Sequence, residues 1–137
     1  MTKGRFARLA AVSYTVKNLR NTKDSAPEFG LSEVQEAHFV GGELGAESTG
    51  MSFHVIHPGQ RQFGHRHDNA EEIYVVVAGS GTVKLDDESV ELSRLDAVRV
   101  APKVSRGFAA GPDGLELLAF GPRHDGDGEL LGEGFWD

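Results

Sequence analysis

Residues 58–79 read PGQRQFGHRHDNAEEIYVVVAG, and the placement of two histidines and one acid in that stretch decides how the chain is read. Side chains of an extended strand alternate between faces, so His65 and His67 point the same way and Arg66 points the other. Asp68-Asn69-Ala70 supplies turn-forming residues, and Glu72 opens the β-branched and aromatic run Ile73-Tyr74-Val75-Val76-Val77. A second strand returning beside the first brings Glu72 to face both imidazoles. Two histidines and one carboxylate on one side are the donor set of a facial triad for a divalent metal. Tyr74 and Val76 share the alternation of Glu72 and line the same interior. A His-x-His pair alone is a weak signal, since a strand with two surface histidines gives it too. The Pro58-Gly59 entrance, the spaced Glu72 and the closing Gly79 make the longer string specific.

Outward from this stretch, short β-like runs recur at 51–57, 73–77, 82–85, 89–92, 97–100 and 115–120. Turn signals separate them: Pro58-Gly59, Gly79-Ser80-Gly81, Asp86-Asp87, Pro102-Lys103 and Gly111-Pro112-Asp113-Gly114. This spacing predicts an all-β sandwich or barrel, and a barrel also removes exposed strand edges. Upstream, Val12, Tyr14 and Val16 alternate with Ser13 and Thr15, which predicts a strand over 12–16. Residues 31–40 are ambiguous, with Ser32 a candidate cap for a short helix, and 42–50 reads as a loop. Downstream, the tail from His124 to Asp137 holds five acids and no Lys or Arg and reads as irregular, although Phe135-Trp136 is expected to dock on the barrel or on a partner chain.

The bulk numbers fit one domain of 137 residues, 39% hydrophobic and 26% charged. There is no cysteine, which excludes disulfides and zinc–thiolate sites. The net charge of −7 disfavours nucleic acid and anionic membranes as partners. One asymmetry stands out: Lys3, Arg5, Arg8, Lys17, Arg20 and Lys23 fall in a segment, 1–23, that contains no acid. It reads as a solvated basic arm, with contact to a partner as the alternative. No run approaches the roughly 20 apolar residues needed to span a bilayer, and a cytoplasmic protein is expected.

The string Gly59-x5-His65-x-His67-x4-Glu72-x6-Gly79 resembles the first motif of the cupin family throughout. The resemblance covers residues 45–122. It implies a double-stranded β-helix (jelly-roll) cupin barrel, often dimeric, with a metal held inside by His65, His67 and Glu72; Fe, Mn, Ni and Zn are the candidates, and a metal-free barrel is the alternative. Residues 1–44 then form an N-terminal arm with a strand and a short helix, and 123–137 an acidic tail.

The second motif of the family, Gly-x5-Pro-x-Gly-x2-His-x3-Asn, falls on Leu95, Ala101, Lys103, Arg106 and Ala110, and none of the five matches. Arg106 stands where the fourth ligand, a histidine, is expected. Arginine stays protonated and offers no lone pair, and its charge opposes a cation by roughly 4 kcal/mol per unit charge at ~4 Å and an effective dielectric near 20. Two arrangements follow: Arg106 pairs with Glu72 in place of a metal, or it turns into the cavity and binds an anionic group with its fork geometry while three ligands hold the metal. Arg106, Tyr74 and Phe108 are accordingly the candidate ligand-binding residues. His54 and His57 are secondary candidates, and His38 and His124 are read as incidental.

No residue is assigned a catalytic role on this reading. The expected function is a cupin of unassigned activity that binds a small, perhaps anionic, molecule. The alternative is a metal-dependent dioxygenase or isomerase acting on a small organic acid. A homodimer formed by exchange of the N-terminal strand is the expected assembly.

Overall fold

The computed structural model describes residues 13–123 and 127–137. Its strands are β1 (Gln35–His38), β2 (Thr49–Ile56), β3 (His65–His67), β4 (Glu72–Leu85), β5 (Glu88–Leu92), β6 (Ala97–Val100), β7 (Arg106–Pro122) and β8 (Gly128–Leu130). One short helix, α1 (Val40–Glu43), lies between β1 and β2. The strands form one curled antiparallel sheet in the order β1-β2-β7-β3-β8, with β4 pairing β5, β6 and β7. This is the all-β barrel expected from the spacing of the runs, in the double-stranded β-helix form that the resemblance implies. Among the described residues no helix is long and apolar enough to cross a membrane.

β4 and β7 are the two long strands, and both bend rather than stop at their glycines. Gly79-Ser80-Gly81 and Gly111 to Gly114, read from the sequence as turns, lie inside β4 and β7. The β4–β7 register shifts between Val76 and Ala78 and again between Gly79 and Gly81. A bulge supplies local bend without ending the pairing, and glycine lets the backbones approach. Gly79 has φ of +75°, and a Cβ there would run into the Gly114 carbonyl; a Cβ on Gly81 would meet that of Ala109. Glycine produces the same local sequence signal in a turn and in a barrel corner.

Residues facing inward from the two long strands make the core: Tyr74, Val76 and Val83 from β4 meet Phe108, Leu115 and Leu117 from β7, with Ile56, Leu92 and Val100 around them. The alternation holds over Tyr74 and Val76 and over Leu115, Leu117 and Ala119. It changes phase where the strands bend: the inward residues are even-numbered at Tyr74 and Val76 and at Phe108, and odd-numbered at Val83 and at Leu115 and Leu117.

Two peripheral expectations are corrected. Residues 35–38 are strand rather than helix, because each finds a partner on β2, from Gln35 opposite Ile56 to His38 opposite Phe53; the helical turn comes after it, at 40–43. The described part of the expected strand at 12–16, residues 13–16, is neither strand nor paired, and Tyr14 and Val16 are exposed; Val12 lies outside the described residues.

The tail is not irregular. β8 pairs with β3, and a 3-10 turn, Glu133–Trp136, follows it. Phe135 sits against two glycines: a Cβ on Gly64 would fall 2.5 Å from its ring and one on Gly107 2.8 Å. The Trp136 indole donates to the Gln62 carbonyl at 2.5 Å and stacks under the Arg61 guanidinium. Lys84 Nζ donates to the Phe135 carbonyl and lies over its ring. These contacts hold the end of the chain on the barrel beside β3.

Candidate metal and ligand site

β3 is three residues long and is held on both sides. His65 pairs with Arg106 of β7 on one edge; His65, Arg66 and His67 pair with Leu130, Glu129 and Gly128 of β8 on the other. Arg66 turns outward and its Nη2 donates to Glu129 at 2.7 Å. Both histidines turn inward, their rings edge to face with centroids 5.1 Å apart. Glu72, the first residue of β4, meets them: its Oε1 lies 3.3 Å from His67 Nε2 and 3.7 Å from His65 Nε2. One donor atom from each of the three residues lies within 4.8 Å of the others. Ligand–metal distances of ~2.1 Å place neighbouring ligand atoms about 3 to 3.5 Å apart. The Glu72–His67 contact falls in that range and the Glu72–His65 contact is wider, so the set has to tighten slightly to hold a small divalent ion.

The Tyr74 hydroxyl donates to Glu72 Oε1 and stands 3.4 Å from His65 Nε2. Burial and the adjacent Glu72 carboxylate push its pKa well above the ordinary value, so it stays a proton donor. Burial would raise the Glu72 pKa, but contacts from His65, His67 and Tyr74 override it and hold the carboxyl well below its usual range. Burial holds the His65 pKa down, against the pull of Glu72, which favours the neutral ring that a metal requires.

Arg106 is fully buried at 0% exposure, with Nη1 3.9 Å from Glu72 Oε1 and Nη2 donating to the Ala101 carbonyl at 3.4 Å. Its Nε and Nη1 make no hydrogen bond. The guanidinium is directed at Glu72 rather than into the cavity, with no hydrogen bond between the two. The strand pairing of Arg106 with His65 puts its positive charge on the rung next to the triad.

The triad lies at the floor of a cavity of about 540 Å³. His65, His67, Glu72 and Tyr74 line it; Arg106 and Phe108 lie behind that wall, Phe108 with its ring 4.8 Å from that of Tyr74. His54 also lines the cavity, its Nε2 2.9 Å from Ser52 Oγ, and burial next to His65 pushes its pKa down to about 4. His57 is tied to the Ser32 carbonyl at 3.2 Å, and His38 is buried between Glu36 and Thr22. His124 lies outside the described residues.

Sequence reasoning missed Asp127. Its side chain, almost fully buried, accepts backbone N–H bonds from Asp68, Asn69 and Ala70 at 3.0 to 3.1 Å and stands 3.7 Å from His67 Nδ1. One carboxylate thus fixes the turn between His67 and Glu72 and faces the back of a candidate metal ligand, an outer contact that orients an imidazole and raises its basicity. Gly128 allows the approach, since a Cβ there would stand 3.2 Å from the His67 ring. Nothing local in an acidic tail distinguishes this acid; only the docking of Phe135-Trp136 hinted that the tail returns to the barrel.

A family model described as "Cupin domain" matches residues 52–120. Among solved structures, the polyketide cyclase RemF from Streptomyces resistomycificus superposes with a TM-score of 0.71 at 16% identity, covering 85% of this chain and 84% of that one. A cupin protein from Bacteroides fragilis gives 0.65 at 22% identity, covering 84% and 88%. A curated relative, an uncharacterized protein of Methanocaldococcus jannaschii, is 33% identical over 49 residues; the match covers 36% of this chain and spans 39% of that relative's length.

Proposed function

This chain belongs to the cupin family, and from that premise we propose that it binds a small molecule in the barrel interior, at a divalent metal held by His65, His67 and Glu72. The observation that carries this reading is the convergence of the three donor atoms at the floor of an accessible cavity. Fe, Mn, Ni and Zn all suit two imidazoles and one carboxylate. When bound, such an ion supplies Lewis-acid polarisation of a ligand oxygen. The rest is done by the chain. His65, His67 and Tyr74 hold Glu72 in its ionised form on the inward side, and Asp127 orients His67.

A second reading, a dioxygenase or isomerase acting on a small organic acid, is favoured by the count of protein donors. Three leave coordination positions open to a substrate, as catalytic metal sites do. Both readings are tested by metal analysis of protein purified without an affinity tag and equilibrated with each ion. About one ion per chain is expected, falling to near zero in His67→Ala. Metal content near zero in the parent protein after equilibration removes both. Turnover on a panel of small acids then separates them.

We also propose a homodimer in which the N-terminal segment crosses to a second barrel. The exposed Tyr14 and Val16, apolar side chains with alternating spacing, support it. Light scattering that gives a monomer at micromolar concentration refutes it.

A further inference from the structure

The walls of the cavity and its floor differ in chemistry. Apolar groups ring the mouth from three separate segments: Phe29, Phe39 and Leu130 are 59%, 51% and 63% exposed and line the cavity. Deeper, Met51, Phe63 and Leu117 continue the apolar lining. Large apolar side chains left in water around an opening commonly mark a binding site.

The polar groups of the wall are largely turned on one another. Gln62 Nε2 donates to Gln35 Oε1 at 2.9 Å, and Gln62 Oε1 accepts from the Phe108 N–H at 3.2 Å. Ser52 is engaged with His54, and Tyr74 with Glu72. A ligand with many hydroxyls would bury them here with few partners, at the cost of unsatisfied polar groups. A compact polyanion would fare no better. Among the described residues the one Lys or Arg on the cavity wall is Arg123, exposed and donating to the Ala46 carbonyl, while Arg106 lies behind the wall beside Glu72.

The floor has a different requirement. The charge of Arg106 offsets that of Glu72, so a divalent ion on the triad would keep nearly its whole charge for whatever enters. That favours one negatively charged oxygen headgroup at the bottom.

We infer that the ligand is a small acid with a bulky apolar body: the body fills the upper cavity, and a single oxygen headgroup is directed at His65, His67 and Glu72. The headgroup rests on the metal reading given above, whereas the apolar body rests on the cavity walls alone. A volume of about 540 Å³ lies within the range of cavities that enclose such molecules.

The test is calorimetric titration of metal-loaded and metal-free protein with 3-hydroxy-2-naphthoate and 3-hydroxypropanoate, which share a β-hydroxy acid head and differ in the body. The naphthoate is expected to bind about a hundredfold more tightly to the loaded protein and to keep a preference over the aliphatic acid in the metal-free protein. Phe39→Ser is expected to weaken the naphthoate about tenfold and leave the aliphatic acid unmoved. Equal affinities, or tighter binding of the aliphatic acid, overturn the inference. Metal uptake without preference sinks the ligand class and spares the metal site; preference without metal uptake does the reverse.

Discussion

β3 and the first residue of β7 lie side by side and bring opposite chemistry to one spot. β3 offers imidazoles, His65 among them held towards neutrality by burial, each with a lone pair for a cation. Across the rung, Arg106 offers a cation with no lone pair, fully buried and directed at the same Glu72 oxygen. The backbone pairing is indifferent to this. A barrel rung is set by hydrogen bonds and by the inward face, so one ligand position can be exchanged for a fixed charge without moving its neighbours. The difference makes Glu72 a shared partner: a counter-ion for one strand and a fellow ligand for the other.

Removing the shared partner is expected to have the largest effect. Glu72→Ala takes a donor from the triad and leaves Arg106 buried without its counter-charge, which costs about 3 to 5 kcal/mol. Urea denaturation of the metal-free protein measures it, and unchanged stability would mean that Arg106 and Glu72 are not coupled.

Acid acts on the histidine side and leaves Arg106 charged. The folded His54 has its pKa lowered from 6.5 to about 4, so the unfolded chain binds the extra proton between those values. Stability is therefore complete above about pH 6.5 and falls towards pH 4, by about 3 kcal/mol from this group. His65, also shifted down, adds to the fall. Glu72, with its folded pKa lowered, contributes stability that is lost at still lower pH as it protonates. Denaturation midpoints of metal-free protein from pH 7.5 to 4 should show this slope, and His54→Gln should flatten it.

Arg106→His replaces the cation by a base on the same rung. Divalent metal affinity, measured by competition with a chromophoric chelator, is expected to rise by about a thousandfold or more, as repulsion of roughly 4 kcal/mol per unit charge at ~4 Å is relieved. Weaker binding would show that Arg106 holds the triad together.

Asp127→Asn keeps Oδ1 as the acceptor for the Asp68 and Asn69 amides, loses the oxygen that the Ala70 amide uses and removes the charge facing His67. Metal affinity is expected to fall about tenfold, with a shifted visible spectrum of the cobalt-substituted protein. An unchanged spectrum would confine Asp127 to the turn.

Several of these features were legible along the chain and others were not. The common face of His65 and His67 follows from a period of two, and the return of Glu72 from the turn residues between them. The inward set Tyr74, Val76 and Phe108 obeys the same rule. Glycine misled at 79–81 and 111–114, because a bend and a chain reversal need the same backbone freedom. Residues 35–38 were ambiguous because their propensities are mixed and their strand state comes from β2, some twenty positions away.

What local chemistry alone settled is the pattern of faces: pleated backbone leaves each side chain only two directions, so inward donors can be named without coordinates. Distance along the chain hid Asp127 altogether and left the aim of Arg106 and the seat of Phe135-Trp136 as open alternatives. Arg106 aims at Glu72, Asp127 returns to the 68–70 turn, and Phe135 seats on Gly64 and Gly107, because folding brings together segments 28 to 71 residues apart. Such contacts form where the barrel leaves space and unmatched charge, which no window of sequence contains.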